Sequence, residues 1–426
     1  MSRSPSTTTS LRARDLASPT RVTAALVGTL ALQSAVPPFA TDMYTPAFPQ
    51  VTADLATQAS LVGLTLTAFF LGLGAGQLIG GPLSDQRGRR MPIILGGLVC
   101  TIGAVGCALA PSIGLLVAAR VVQGLGGGIA SAVARAVLVD VARGDQLARL
   151  MAVLMALGGL APMIAPVAGA GVLTVGTWRT VFWALVALGL LMTVTAVRWI
   201  PETLPPSRRH AGGLGRSVAR FGEVLRIRPF VGYMLTSSFS AFSMMAYVAN
   251  ATYVLQVQKG MGTFPYALFF ASTALAQVLL SLVNARLVGR FRPRRLILVG
   301  LSASTTAVLA LTLGVLVWDT PLVLTCAGFL VLMAAQAFIF GNAGALAAGQ
   351  ATHMAGSASA VQGVVQALAM ALAAPLASAG GGATAVPMVL VMLVGVIGSW
   401  VACGIVVPRP AAIPAAAPHD SAEASR

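Results

Sequence analysis

Gly80-Gly81-Pro82-Leu83-Ser84-Asp85-Gln86-Arg87-Gly88-Arg89-Arg90 is a short, arginine-dense turn between two apolar runs, 58–82 before it and 91–110 after it. Each run is long enough to cross a hydrocarbon core of roughly 30 Å as a helix, which takes about 20 residues. A basic turn between two such runs reads as a loop on the cytoplasmic side of a membrane. The arrangement returns half a chain later. Asn284-Ala285-Arg286-Leu287-Val288-Gly289-Arg290-Phe291-Arg292-Pro293-Arg294-Arg295 joins the runs 265–288 and 295–317, with Gly289 near the place of Asp85. A repeat at that distance predicts two related halves.

Outward from these turns, windows of about 20 residues pick out twelve apolar stretches. They are 22–48, 58–82, 91–110, 113–140, 148–173, 179–200, 229–255, 265–288, 295–317, 321–345, 355–379 and 385–407. Composition agrees, with 57% apolar and 9% charged residues and a mean hydropathy of +0.87; a soluble protein has roughly a quarter of its residues charged. The 46 Gly and 24 Pro are frequent inside the stretches, where neighbouring membrane helices re-satisfy the freed backbone groups. The expected fold is therefore an all-α membrane protein of twelve transmembrane helices in two six-helix halves. Residues 1–21 read as a cytoplasmic tail, 22–200 as the first half, 201–228 as a cytoplasmic central loop, 229–407 as the second half, and the Pro- and Ala-rich 408–426 as a disordered cytoplasmic tail.

A net charge of +16 would by itself suggest a nucleic-acid partner. Its distribution says otherwise. With the N-terminus inside, the tails, the loops after spans 2, 4, 6, 8 and 10 and the span ends beside those loops hold 23 of the 27 basic residues, against Arg179 and Lys259 outside. This positive-inside bias explains the charge as topology and leaves no nucleic-acid partner to infer. Arg12, Arg14 and Arg21 precede the first span, whose apolar run is much longer than that of a signal peptide, so it reads as a retained helix.

Enzyme chemistry has no visible apparatus. Lys259 is the only lysine and does not lie in a phosphate-binding loop; no HExxH or paired-cysteine metal site is present; His210, His353 and His419 lie in loops or the tail. Cys100, Cys107, Cys326 and Cys403 all fall in spans and read as small packing residues. The reading is not an enzyme, with no cofactor and no metal. Energy would then come from a gradient, and proton coupling would need a carboxylate. Asp42 and Asp140 are the two acids in or at the ends of spans. Asp42, about 20 residues into span 1, is expected toward the outer side, at a depth comparable with Arg120 in span 4. An acid inside a membrane costs on the order of 2.5–3.5 kcal/mol on insertion scales and usually marks an ion path. Asp42 and Arg120 are thus the candidate proton-coupling pair; alternatively Asp42 ends helix 1 at the lipid boundary.

Gly81–Arg90 resembles the signature between helices 2 and 3 of the major facilitator superfamily, with Gln86 where that family has Arg. The resemblance implies a charge network of Asp85 and Arg89 with Asp140 at the end of helix 4, a conformational gate that latches the halves in one facing state. Thr41-Asp42-Met43-Tyr44-Thr45-Pro46-Ala47-Phe48-Pro49 resembles the end of helix 1 in Bcr/CflA-type drug-resistance transporters, TDMYLPALP, departing at Thr45 and Phe48. Leu160–Pro166, Gly176–Arg179 and Gly356–Ala360 add support, and Arg120-Val121-Val122-Gln123-Gly124 is similar to the superfamily's helix 4 motif. Span 5 matches the antiporter motif at Pro166 and Gly169, with Ala165 and Ala170 in place of two glycines.

The resemblance further implies a substrate cavity lined by helices 1, 4, 7 and 10, whose polar and aromatic residues are Gln33, Tyr44, Gln123, Tyr247, Asn250, Tyr253, Phe340 and Asn342. Any one of these can equally be a helix-to-helix hydrogen bond. Proton-driven efflux of drug-like amphipathic molecules by alternating access, conferring multidrug resistance, is the implied function. The implied partners are a small-molecule substrate, protons and the lipid bilayer. A monomer in the inner membrane, both termini cytoplasmic, is the expected form. A proton-coupled transporter of one metabolite and a membrane receptor that binds without transporting remain alternatives on the same fold.

Overall fold

The structure, a computed structural model, describes residues 23–142, 144–209, 221–351, 355–381 and 383–406. The expected tails 1–21 and 408–426, the 210–220 part of the central loop and all three histidines lie outside the described residues.

Twelve helices of 19 to 30 residues answer the twelve apolar stretches among the described residues. They are α1 (Ala24–Asp42), α2 (Ala59–Arg87), α3 (Arg90–Ala108), α4 (Ile113–Val141), α5 (Gly144–Leu173), α6 (Trp178–Trp199), α7 (Arg228–Thr252), α8 (Thr263–Leu287), α9 (Pro293–Val317), α10 (Leu322–Gln350), α11 (Ala355–Ala377) and α12 (Val386–Ile405). Ten of them are long and apolar enough alone to cross a membrane. The described apolar part of α5 is the shorter Gly159–Leu173, and α7 is diluted by hydroxyls. Those hydroxyls are satisfied locally: Thr236 donates to the Gly232 carbonyl, and Ser237 and Ser238 both donate to that of Met234.

Helix starts follow side-chain chemistry. Thr23 and Ser112 cap α1 and α4 by accepting the amides of Leu26 and Leu115, and Thr177 with Thr180 forms a capping box on α6, each meeting an amide that the first turn leaves unpaired. Gly88 ends α2 at φ +90°, a left-handed conformation that favours glycine, and a Cβ there would collide with the Glu202 carboxylate.

The first span is longer than expected. After α1 the chain makes a 3-10 turn at Thr45–Ala47 and a further helix at Phe48–Asp54, so the apolar rod runs from Ala24 to Asp54. Asp42 is the 19th residue of this rod of 31, beyond its midpoint toward Asp54. Twelve more residues follow it before the rod stops, about 18 Å at helical rise. Pro46 and Pro49 each sit in the first turn of their own short helix, where a missing N–H costs nothing.

Packing repeats at an offset of six helices. In the first set α4 lies against α1, α2 and α3, while α6 lies against α1 and α3, and α5 against α1. In the second set α10 lies against α7, α8 and α9, α12 against α7 and α9, and α11 against α7. The sets meet through α2 against α11 and α5 against α8. Glycines permit the tightest contact: Gly72 and Gly76 of α2 face the backbone of Val121 and Leu125, and Gly124 and Gly128 of α4 face that of Phe69 and Leu73, leaving no room for a Cβ on either helix. Small residues four apart are how membrane helices come this close.

Hydrogen bonds between the sets gather at the Asp54 end of the bundle. Thr252 donates to the Thr45 carbonyl (3.1 Å), Gln256 to the Pro46 carbonyl (3.4 Å), the Thr52 and Tyr253 hydroxyls pair at 2.9 Å, and Thr67 donates to the Ala371 carbonyl. Tyr253 opens a π-helical turn, Tyr253–Gln258, that prolongs α7. The irregular ends of α1 and α7 thus seal that end against each other.

Candidate functional site

Asp42 closes α1 and is 8% exposed, the only buried carboxylate among the described residues. Its Oδ1 accepts the Thr41 hydroxyl at 3.0 Å, and its carbonyl accepts that of Thr45 at 3.0 Å. Gly169 on α5 lies against the Met43 carbonyl so closely that a Cβ would overlap it. Gly169 thereby brings α5 onto the peptide next to Asp42; Pro166 lies one turn earlier within α5.

Arg120 is fully buried on α4, and its guanidinium is taken up by groups other than Asp42. Nη1 donates to the Ala40 carbonyl and to Gln123 Oε1, both at 2.8 Å, and Nε to the Thr65 carbonyl at 3.4 Å. The cation also lies over the rings of Phe69 (4.6 Å), Tyr44 (5.2 Å) and Phe182 (5.8 Å). Such rings offer a negative face to a desolvated cation. No salt bridge joins Arg120 to Asp42 among the described residues. The two are linked through backbone instead: Arg120 holds the α1 carbonyl two residues before Asp42.

Of the expected cavity residues, Tyr44 and Gln123 join this cluster, and Tyr253 joins the seal, 6.2 Å from Phe48 between ring centroids. Gln33 turns away and donates to the Met192 carbonyl of α6 at 2.8 Å. Tyr247 pairs with the Thr273 hydroxyl at 3.0 Å and stacks on Phe270. Asn342 donates to Asn284 Oδ1 of α8 at 2.8 Å, a helix-to-helix bond. Phe340 is half-buried. Asn250 is fully buried with neither amide atom partnered, an arrangement that costs free energy unless a further group arrives.

At the other end of the bundle Arg89 sits between two carboxylates. Its Nε donates to Asp140 Oδ2 at 2.8 Å, and its Nη1 to Asp85 Oδ1 and to Ser84 Oγ, the latter at 2.7 Å. Burial alone would lower the Arg89 pKa, and the hydrogen bonds and charges of Asp140 and Asp85 outweigh it and raise it. These partners all belong to α2, the turn after it and α4. The cluster ties α2 and the turn after it to α4 in this conformation; the latch between halves that the resemblance implies is not among these contacts.

Sequence reasoning missed Glu202 and Thr203. Glu202 Oε1 accepts the amides of Arg89 (2.8 Å) and Leu204 (2.9 Å), and Thr203 donates to Asp140 Oδ2 at 3.0 Å. The available signal was an acid and a hydroxyl placed directly after span 6 in an arginine-rich loop. Also without an assigned role are Gln336 of α10, which accepts from Ser240 of α7 at 2.6 Å, and Arg135 of α4, which is exposed.

Comparison with known proteins follows the same lines. The family model described as Major Facilitator Superfamily matches residues 30–374. The chain is 34% identical over 387 residues to the uncharacterized MFS-type transporter YdgK of Bacillus subtilis, covering 90% of this chain and 95% of that one. It is 29% identical to a bicyclomycin resistance protein homolog of Haemophilus influenzae, covering 85% and 91%, and 29% identical to the multidrug resistance protein MdtL of Salmonella typhimurium, covering 77% and 82%. These relatives agree with the Bcr/CflA resemblance. Among solved structures, the partially occluded inward-open xylose transporter XylE of E. coli superposes with a TM-score of 0.70 at 14% identity, over 90% of this chain and 97% of that one. At that identity the likeness concerns the fold alone. With its helices, its glycine-packed first half and its signature turn in place, the chain belongs to the major facilitator superfamily and is a multi-pass membrane transporter of small molecules rather than an enzyme.

Proposed function

We propose that the chain exports drug-like amphipathic molecules across the inner membrane in exchange for protons, as a monomer working by alternating access between two six-helix halves, 22–200 and 229–407. The observation that carries the proton part is Asp42. It is a carboxylate enclosed among membrane helices without a cationic partner, accepting from a threonine hydroxyl. An acid at such a place is costly inside a membrane and usually marks an ion path. Arg120 holds the carbonyl of Ala40, so movement of α4 is transmitted to the turn that carries Asp42.

In this scheme Gly169 and Pro166 let α5 close on α1, Tyr44, Gln123, Tyr247, Asn250, Tyr253 and Phe340 meet the substrate or rearrange around it, and Gln33 and Asn342 hold helices. Asp85, Arg89 and Asp140 keep the first half rigid and bias the facing state. The seal at the Asp54 end supports a conformation open toward the Arg89 end, which the basic loops put in the cytoplasm. Export is supported by the bicyclomycin- and multidrug-resistance proteins among its relatives.

Reconstitution tests this reading. Under an imposed pH gradient, proteoliposomes should move an amphipathic cationic dye with proton counterflow, and a protonophore should abolish it. Expression should raise tolerance to several unrelated antibiotics. Flux indifferent to the gradient, or saturable binding without flux, would overturn it.

A further inference from the structure

At the Arg89 end, on the outer flank of the first six helices, a cavity of about 340 Å³ opens between the start of α1, the start of α3 and the end of α6, and Thr23, Arg90, Val197, Arg198, Trp199 and Pro201 are among the residues that line it. It is separate from the Asp42 site. Two arginines enter it, and both are exposed. Arg90 uses Nη2 to donate to the Val197 carbonyl at 2.9 Å, which fixes the guanidinium across the cavity. Arg198 makes no hydrogen bond or ion pair among the described residues. Among the described residues, no acid lines the cavity. The nearby Glu202 is directed to the amides of Arg89 and Leu204 and lies 3.8 Å from Arg209.

What leads up to the cavity is apolar. Leu190, Leu191, Val194 and Val197 form an exposed stripe along α6, which ends in the exposed indole of Trp199. On a membrane helix such a stripe faces acyl chains, and a tryptophan at its end sits at headgroup level. Two unneutralised guanidinium groups beside that indole form a basic pocket at the membrane interface.

We infer that this cavity binds the phosphodiester headgroup of an anionic phospholipid whose chains lie along the exposed face of α6. A phosphodiester brings one negative charge and acceptor oxygens to two guanidinium forks, a charge-assisted arrangement. A zwitterionic headgroup would bring a cation to the same place, and free phosphate would leave the α6 stripe unused.

Native mass spectrometry of the purified full-length protein, titrated with phosphatidylglycerol or with phosphatidylcholine of the same chain lengths, tests the assignment. Phosphatidylglycerol should be retained in preference, and the double variant Arg90→Gln/Arg198→Gln should bind it about 30-fold more weakly, from about 1 kcal/mol per basic residue near the surface. Arg226→Gln, an exposed arginine elsewhere, should leave retention unchanged, and inorganic phosphate should not displace the lipid. Equal retention of the two lipids, wild-type retention by the double variant, or displacement by phosphate would overturn the inference. Should the double variant not fold, Arg198→Gln alone decides, since that side chain supports no described contact; it should give about a fivefold loss, and no loss overturns the site.

Discussion

The two sets of six helices share a packing pattern and differ in what they hold inside it. The first carries Asp42 and Arg120 within the membrane and the Arg89 cluster with Asp85 and Asp140 at one end. The second carries amides and hydroxyls in comparable places: Asn284 with Asn342 between α8 and α10, Ser240 with Gln336 between α7 and α10, and the unpartnered Asn250. Buried charge requires close, fixed partners, and the first set supplies them to Nε and Nη1 of Arg120, though not to Nη2. Glycines draw α4 onto α2, which sets Arg120 against the Thr65 carbonyl and the Phe69 ring of that helix. Helix α8, in the place of α2, contains no glycine at all, and a neutral amide pair tolerates the looser contact. Under the proposed function, proton handling falls to the first set and exchangeable hydrogen bonding to a ligand to the second.

The largest effect expected is at Asp42. Asp42→Asn removes the proposed proton site while keeping size and hydrogen bonding, and drug-driven proton movement in vesicles should fall to that of empty liposomes; undiminished coupling would place the proton elsewhere. Arg120→Met comes next. It leaves the Ala40 and Thr65 carbonyls and Gln123 without their donor, and with each bond to a charged group worth about 1.5–3 kcal/mol, thermal unfolding should show a loss on the order of 3 kcal/mol. If the variant is as stable as the parent, the first set is not organised around its cation.

Gly169→Leu should act through position rather than stability alone. A side chain there meets the Met43 carbonyl and pushes apart α5 and the turn beside Asp42. Transport should drop more than folded yield, and the pH dependence of transport should shift. An unchanged profile would mean that the Asp42 turn is insensitive to α5.

Most of the fold was legible because membrane helices must be long and apolar. The Gly80–Arg90 turn announced its own geometry, and Arg89 does meet Asp85 and Asp140. The full length of the first span was not legible: the rod runs on past residue 48 through a 3-10 turn and a second helix, because Pro46 and Pro49 each start a segment rather than interrupt one. The direction of each polar side chain was equally hidden. Gln33 looked like Gln123 in the sequence, yet one faces α6 and the other Arg120, a difference set by where neighbouring backbones place free carbonyls. Glu202 was passed over because its partners are backbone amides of a turn more than a hundred residues away, which no local pattern encodes.

The smallest effect sharpens the comparison most directly. A double-mutant cycle on Asn284 and Asn342, each changed to Ala, should return a coupling near 0.6 kcal/mol, the usual size for a hydrogen bond between membrane helices. The same cycle on Arg89 and Asp140, changed to Gln and Asn, should return about 2 kcal/mol, reduced somewhat by the partial exposure of Asp140. Salt distinguishes them further. Raising ionic strength should weaken the second coupling and leave the first alone, because only one of the pairs is made of charges and it lies at a solvent-facing end. An amide coupling as large as the charged one would erase the division between a charge-bearing and a neutral half, since the second set would then be as rigidly committed to its internal partners as the first, with no hydrogen bond left weak enough to exchange for a ligand.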